Sequence, residues 1–288
     1  MSLRSMVPVA TFALVAAVFT TGCPAEQQGA GKQDVKSSTP AGSGKPVATG
    51  TSSQAAAAPA GAQSGALAIK GTVKYTGEKF DMEVPPKRKK AEFCKDKAIK
   101  HNGVIISGSN TLQDVFIAIA DGQIKGAQKP AKPATLEQKD CMFVPRIFGV
   151  LPKQEITFKN SDPITYKIKA SKGADEAFKI ELAKGAEPVK KAFDALGIYQ
   201  VNAEGHPWLR TLVVVTDNPY HAVTGADGTF KIEKVPAGKY KVIAWHSLWG
   251  KKEATAEVKG GTATVDFEYD GAEDEPVENA GELDDQFE

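Results

Sequence analysis

Three histidines in the second half of the chain are the residues best suited to hold a metal ion. They are His206, His221 and His246, and imidazole nitrogens are good ligands for zinc and Cu(II). The sequence shows no helical or hairpin spacing that would bring the three together. His206 precedes a proline and His246 follows a tryptophan, and such loop-end positions also suit histidines that bond to the backbone. We therefore expect structural histidines, with a metal site built from His206 and other histidines as the alternative.

Cys94 and Cys141 predict a disulfide bond. With Cys23 set apart as described below, these two cysteines form an even pair in a chain that carries an export signal. Closing the loop between them would stabilise the fold by about 4 kcal/mol on the chain-entropy model. Metal binding is the alternative, but no histidine, further cysteine or cluster of carboxylates lies at zinc spacing beside them.

The N-terminus predicts export and a lipid anchor. Arg4 supplies a positive charge, and residues 6–19 form an apolar segment too short to span a bilayer comfortably. The following Thr20-Thr21-Gly22-Cys23 resembles a bacterial lipobox, in which the cysteine is acylated and becomes the first mature residue. We expect a signal peptide over 1–22 and lipidation of Cys23, with an ordinary signal peptide as the alternative. The residue after the cysteine is Pro24 and not the Asp that favours retention in the inner membrane of some bacteria, so we expect display at the outer membrane.

Composition separates two flanking segments from a folded body. Of the 43 residues in 24–66, 36 are Ala, Gly, Ser, Thr, Pro or Gln, so 23–66 is predicted to be a lipidated Cys followed by a disordered tether. The chain of 288 residues has a net charge of +1, yet 268–288 holds ten acidic residues and no basic one. The region 67–267 carries +9. We predict a disordered acidic tail over 271–288 that screens the basic body or acts as a separate interaction arm.

The overall composition excludes several classes of protein. Hydrophobic residues make up 41% of the chain, which is enough to bury a core. No apolar run reaches the ~18–20 residues of a mature membrane span. The sequence has no HExxH motif, no Gly-rich phosphate loop and no Ser-His-Asp arrangement with a nucleophile elbow. We therefore expect a protein that is not an enzyme, and an exported chain is a poor fit for a nucleic-acid partner.

The region 67–270 is predicted to be all-β. Alternating apolar and polar residues predict strands at Leu67–Tyr75, Glu155–Lys159 and Tyr166–Ala170. Segments that are apolar on both faces predict strands buried between two layers at Gln113–Ala120 and Leu209–Thr216. Short strands separated by Gly, Pro, Asn and Asp indicate a β-sandwich. Helix is expected only in short pieces near Ala91–Lys100 and Ala186–Phe193.

The last part of this region has the clearest pattern. The turn Gly225-Ala226-Asp227-Gly228 precedes a strand at Thr229–Glu233, and the turn Val235-Pro236-Ala237-Gly238 precedes a strand at Lys239–Trp245. A final strand is predicted with Ala263, Val265, Phe267 and Tyr269 on its inward face. These features resemble the carboxypeptidase regulatory-like (transthyretin-like) β-sandwich module. The resemblance implies a fold and no peptidase activity, because that module lacks the catalytic zinc ligands.

Segments upstream extend the resemblance to a second family. Asn160-Ser161-Asp162-Pro163, His206-Pro207-Trp208-Leu209 and Asn218–Thr224 resemble exported cupredoxin-like proteins, some of them labelled methylamine-utilisation proteins. Members join a cupredoxin-type sandwich to the module described above. The resemblance therefore implies an all-β chain with a cupredoxin-like domain over 67–221 and a carboxypeptidase regulatory-like module over 222–270.

The resemblance also implies where a copper site would lie. Complete members carry a His, a Cys, a second His and a Met, and these positions fall on Tyr166, Ala203, His206 and Leu209. Only His206 matches. Because the thiolate dominates the bonding in a blue copper site, we predict a degenerate site without copper, in which Tyr166 and Leu209 fill the pocket with apolar packing.

The remaining candidates concern the surface. Trp249 is the most plausible exposed aromatic residue, and it would suit stacking on a sugar; core packing is the alternative fate of the tryptophans. We expect a non-enzymatic, lipid-anchored binding or scaffold protein of the bacterial cell envelope. The alternatives are a copper-binding or electron-transfer protein that uses His206 and a carbohydrate-binding envelope module. Expected partners are the membrane, through the lipid, and envelope proteins or cell-wall glycans.

Overall fold

A computed structural model describes residues 67–78, 93–95, 97, 103–126, 129–130 and 132–271. These residues belong to one compact unit, Ala58–Glu288. The predicted signal peptide, Cys23, the tether and the residues after 271 lie outside the described residues, as does most of the helix predicted near 91–100. Within the described part of the chain, no helix is long and apolar enough to cross a membrane.

The described residues form nineteen strands and no helix, which confirms the all-β prediction. In chain order the strands are β1 (Ala68–Tyr75), β2 (Ile105–Ile106), β3 (Leu112–Gln113), β4 (Phe116–Ile119), β5 (Ala134–Lys139), β6 (Met142–Val144), β7 (Ile147–Val150), β8 (Ile156–Asn160), β9 (Tyr166–Lys172), β10 (Asp175–Leu182), β11 (Val189–Lys191), β12 (Gly197–Ala203), β13 (His206–Val215), β14 (His221–Val223), β15 (Thr229–Glu233), β16 (Gly238–His246), β17 (Gly250–Val258), β18 (Thr262–Thr264) and β19 (Phe267–Tyr269).

The strands build four main sheets, numbered here in their stacking order. Sheet I has the order β15-β1-β18, with β19 also pairing with β1, and sheet II has the order β14-β4-β16-β17. Sheet III has the order β10-β9-β12-β13-β7, and sheet IV has the order β11-β8-β5-β6. Most neighbours are antiparallel, but β5 with β8, β7 with β13, and β1 with both β18 and β19 are parallel. The strands β2 and β3 form a separate short pair.

Three apolar cores separate the four sheets. The core between sheets I and II includes Ile69, Val73 and Tyr269, and the core between sheets III and IV includes Phe158 and Val213. A third, smaller core joins sheets II and III, and it is formed by Phe116, Ala118, Ala120, Ile147, Ile198, Val214, Ile243 and Trp245. The molecule is thus two β-sandwiches packed face to face, with sheets I and II in one and sheets III and IV in the other.

Strand β4 explains why the segment Gln113–Ala120 is apolar on both faces. All four of its residues are buried. Ile117 and Ile119 face the core shared with sheet I, whereas Phe116 and Ala118 face the core shared with sheet III. The prediction of a strand between two layers is confirmed.

The strand pairing does not follow the predicted partition into 67–221 and 222–270. Strand β1 pairs with β15, β18 and β19, and β4 pairs with β14 and β16, so early strands complete the sandwich formed by the C-terminal strands. Residues 134–215 form the other sandwich, which is inserted between these two halves. Strands β1 and β4 join the C-terminal strands because their apolar residues face the core between sheets I and II.

Two local predictions also differ from the structure. The short helix expected at 186–193 is replaced by β11, which pairs with the edge strand β8. The single final strand is divided into β18 and β19, because the chain crosses over Gly71 at this point. A Cβ on Gly71 would lie 1.6 Å from the carbonyl oxygen of Val265, and Asp266 Oδ1 accepts the Thr72 N–H at 2.8 Å in the gap.

Candidate functional site

Tyr166 occupies the first implied copper-ligand position, at the start of β9. Its side chain is 1% exposed, and its hydroxyl donates a 2.8 Å hydrogen bond to Asp162 Oδ2. The carboxylate of Asp162 also accepts the backbone N–H groups of Asp140 at 2.7 Å and Cys141 at 2.9 Å. Burial raises the pKa of the Tyr166 phenol, and Asp162 raises it further. The phenol is therefore a neutral hydrogen-bond donor at any physiological pH.

The disulfide predicted from the cysteine count is confirmed. Cys94 and Cys141 are bonded to each other, and both are fully buried. The hydroxyl oxygen of Tyr166 lies 3.8 Å from each sulfur atom. The disulfide, Tyr166 and Asp162 thus form one buried cluster beside the position where a copper ligand would stand.

The three other implied positions lie on the hairpin of β12 and β13. Ala203 is 3% exposed and Leu209 is fully buried, and both belong to the same core as Tyr166. Ala203 is the register partner of His206. The imidazole of His206 is half-buried; its ring centre lies 5.2 Å from that of Tyr166, and its Nδ1 lies 3.0 Å from the carbonyl oxygen of Glu204.

These side chains do not fit a copper ion. A blue copper centre needs a thiolate, two imidazoles and a weak axial thioether, whereas this site offers one imidazole, a phenol bonded to Asp162, a methyl group and an isobutyl group. Tyr166, Ala203 and Leu209 are packed among apolar neighbours. No group of three or more His, Cys, Asp or Glu side chains that could hold a metal occurs among the residues the structure describes.

The other two candidate histidines lie in separate environments. His221 is on β14, its ring stacks on Phe116 with centres 5.4 Å apart, and burial lowers its pKa to about 4. His246 ends β16 and is 2% exposed. Its ring stacks on Trp249 at 4.4 Å, and burial lowers its pKa to about 3. The structure does not bring the three histidines together into a metal-binding group.

The expectation that Trp249 is exposed is wrong. Its side chain is 5% exposed, and its ring stacks on Tyr75 with centres 5.0 Å apart. Tyr269 lies 5.9 Å away on another side. The turn between β16 and β17 folds the indole onto the ends of β1 and β19, a contact between residues distant in sequence. A sugar therefore has no free face of Trp249 on which to stack.

A concave surface lies beside the junction of sheets II and III. It has a volume of about 440 Å³, and its walls include β14, most of β7 and the segment leading into β5. Ile147, Phe148 and Val223 make it largely apolar, and His221 contributes an imidazole. A Cβ on Gly149 would lie 2.7 Å from the His221 ring, so the absence of a side chain at this position admits the imidazole.

Sequence reasoning missed one buried and one half-buried polar feature. Asp162 was seen only as part of a turn motif, although it organises the cluster around Tyr166. No local pattern signalled this role, because the backbone N–H groups that Asp162 accepts belong to Asp140 and Cys141, which are distant in sequence. The ion pair of Arg146 and Asp114, with Nη1 and Oδ2 2.9 Å apart, could not be found because these residues are distant in sequence and meet only in the fold.

Comparisons with known proteins place the resemblance in a limited part of the chain. No family model matches it, and no curated protein does either. Similar solved structures include a purple cupredoxin from Nitrosopumilus maritimus, with 19% identity over 29% of this chain and 99% of that protein, at a TM-score of 0.26. An amicyanin from Paracoccus versutus has 16% identity over 34% of this chain and 96% of its own, also at 0.26.

A copper-containing nitrite reductase from Thermus scotoductus shares 20% identity over 34% of this chain, again at a TM-score of 0.26. The match spans only 25% of the reductase. At these scores the likeness carries no argument about activity. The description of two β-sandwiches rests on the strand pairing and the three cores alone.

Proposed function

We propose that this chain is a non-enzymatic, lipid-anchored binding or scaffold protein of the cell envelope, and that the sandwich of sheets III and IV is a cupredoxin-type domain without its copper site. The proposal rests on the side chains that occupy the implied copper-ligand positions. Tyr166 is buried and bonded to Asp162, and Ala203 and Leu209 are core residues. A protein that keeps this scaffold without its metal is suited to binding through its surface.

Lipidation of Cys23 would hold the body at a membrane, and the segment 24–66 would separate the body from it. The concave surface beside β14 offers an apolar area that a partner could cover. The carbohydrate-binding alternative loses its support because Trp249 is buried.

Metal titration tests the loss of the copper site. The purified mature chain is titrated with Cu(II) and Zn(II) by calorimetry, beside the variant His206→Ala. We expect no stoichiometric tight site in either protein, because one imidazole is a weak ligand set. A tight equivalent in the natural chain that disappears in His206→Ala would overturn the proposal in favour of a copper-binding protein.

A variant that restores the missing ligand types supplies a positive control. Tyr166→His, Ala203→Cys and Leu209→Met together would return the full set beside His206. If the sandwich descends from a copper carrier, this variant should bind one Cu(II) with the intense visible absorption of a copper–thiolate bond. A folded variant that binds no copper would contradict the cupredoxin-type assignment while leaving the envelope role untouched.

The anchor is tested separately by cell fractionation. We expect the natural chain in the membrane fraction and the variant Cys23→Ser in the soluble fraction, because the substitution removes the thiol that would be acylated. Recovery of both proteins in the soluble fraction would contradict the lipid anchor.

A further inference from the structure

A small polar cavity lies at the junction of sheets II and III and has a volume of about 30 Å³. From the side of sheet III it is lined by Arg146, just before β7, and by Arg210 on β13. From the side of sheet II it is lined by Asp114, just before β4, and by His246 and Ser247 at the end of β16. The cavity therefore draws its walls from both sandwiches.

The positive charges around this cavity exceed the negative ones. Nη1 of Arg146 lies 2.9 Å from Oδ2 of Asp114, and Nη2 donates a 3.1 Å hydrogen bond to the Gly103 carbonyl. Among the described residues, neither Nη1 nor Oδ2 completes a well-directed hydrogen bond, so this contact is mainly one of charge. Arg210 adds a second guanidinium, and two cations face one carboxylate.

The electrostatic effects on the pKa values support this proximity. Burial lowers the pKa of Arg146, Asp114 opposes that shift, and Arg210 lowers it further. Burial also lowers the pKa of His246, and Arg146 lowers it in addition. Arg146 is thus close enough to Arg210 and to His246 for the charges to interact.

His246 adds a neutral donor to this set. Its Nδ1 accepts the Leu248 N–H at 3.2 Å, so the ring proton is on Nε2. The side chain is 2% exposed and lines the cavity, where the ring N–H is available to a bound group.

We propose that this cavity binds one small anion, held by Arg210, Arg146 and His246, with the Ser247 hydroxyl as a further donor. An anion accepts hydrogen bonds and donates none, so it matches a site of excess donors better than water does. Arginine is well suited to this role because its guanidinium stays charged and presents several donors. A volume of about 30 Å³ suits a halide or the head of a carboxylate.

Binding at this position would also connect the two sandwiches, since its ligands come from sheet III and sheet II. The anion has two possible sources with the same chemistry. It is either a free ion from solution or a carboxylate of a peptide, and residues 273–288 of this chain supply eight such groups.

Chloride-35 NMR tests the proposal. Binding of chloride to the mature chain should broaden its resonance, and acetate should reverse the broadening by competition. Arg210 is exposed, so Arg210→Gln should keep the fold, as circular dichroism would verify, and reduce the specific broadening at least tenfold. Lys239→Gln is the matched control, because it removes one positive charge at the opposite end of β16 from His246.

The outcomes are distinct. Broadening retained in Lys239→Gln and lost in Arg210→Gln supports the site. Equal broadening in the natural chain and Arg210→Gln, or an equal loss in both variants, overturns it in favour of general charge attraction. A chain that ends at Gly271 identifies the source: stronger chloride binding than in the full chain indicates that a tail carboxylate competes, and equal binding indicates a free anion.

Discussion

The cluster of Tyr166, Asp162 and the buried disulfide shows that the first implied copper-ligand position holds a packed, hydrogen-bonded residue. A protonated phenol bonded to Asp162 does not supply the imidazole nitrogen of a blue copper site, but it donates to a carboxylate and covers a disulfide. The carboxylate of Asp162 in turn holds the backbone of residues 140 and 141. The cluster therefore ties the start of β9 to the turn between β5 and β6.

Removing the Tyr166 hydroxyl tests this cluster. We expect Tyr166→Phe to lower the free energy of unfolding by about 2 kcal/mol, because the lost hydrogen bond has a charged acceptor. Denaturant unfolding measures the change. Tyr240→Phe is the matched control: its hydroxyl donates to the neutral carbonyl of Pro236 at 3.1 Å, and we expect a smaller loss. If Tyr166→Phe is as stable as the natural chain, the phenol does not support the fold through Asp162.

The two buried histidines predict a dependence of stability on pH. His221 and His246 have pKa values of about 4 and about 3 in the folded state, below the ~6.5 expected when unfolded. As the pH falls from 6.5 to 5, the unfolded state binds protons that the folded state does not, so stability falls. Each histidine contributes up to about 1.4 kcal/mol per pH unit.

Urea unfolding at pH 7, 6 and 5 measures this effect. The variant His221→Gln should show a flatter profile than the natural chain, because one of the two titrating groups is gone. A profile that is level between pH 6.5 and 5 would show that neither imidazole resists protonation in the folded state.

Residue types revealed only part of this detail. The disulfide followed from the number of cysteines, and the lack of copper-ligating side chains at Ala203 and Leu209 followed from their identities. The burial of Trp249 and the contact of Arg146 with Asp114 did not follow, because both depend on residues that approach from other strands.

At the scale of elements, the alternation of apolar residues predicted where individual strands lie better than it predicted which strands pair. The strands predicted at 67–75, 155–159 and 166–170 correspond to β1, β8 and β9, and β13 extends the predicted 209–216 toward His206. The edge strand β17 was missed, although Ala254, Ala256 and Val258 alternate with Glu253 and Glu257. Strand order is not encoded in a period-two pattern, so the pairing of β1 with the C-terminal strands was not foreseen.

Gly71 tests the close packing of β1 against the last strands. We expect Gly71→Ala to cost at least about 3 kcal/mol, because its Cβ would meet the backbone carbonyl of Val265, which cannot rotate away. The matched control is Gly108→Ala, where no atom lies within 4 Å of the added Cβ. Thermal unfolding of both variants measures the difference. Equal melting temperatures would contradict the crossing of residue 265 over β1.

At the scale of the whole molecule, the described body is a stack of four sheets whose middle core is the smallest. Trp245 and Phe116 of sheet II meet Val214 and Ile198 of sheet III there. Because β4 contributes to two cores at once, the sandwiches share an element and should unfold together.

The charge distribution predicts that the acidic segment contributes little to folding. A chain that ends at Gly271 keeps all nineteen strands and loses eight carboxylates. We expect its melting temperature to stay within about 2 °C of that of the full chain, because few apolar residues are removed. Differential scanning calorimetry at low and high salt measures the change. A large fall in the melting temperature at both salt concentrations would show that residues beyond 271 stabilise the body.

The pairing of β1 with β15, β18 and β19 also sets an order of events during synthesis. Strand β1 is made first among the described strands, but its nearest partner along the chain begins at Thr229. Until then β1 has only an isolated bridge of Lys74 to Thr111, so most of both edges is open, and an open edge favours pairing with other chains. A polypeptide interrupted within residues 134–215 would hold an orphan strand, so premature release should produce aggregates rather than a smaller folded protein.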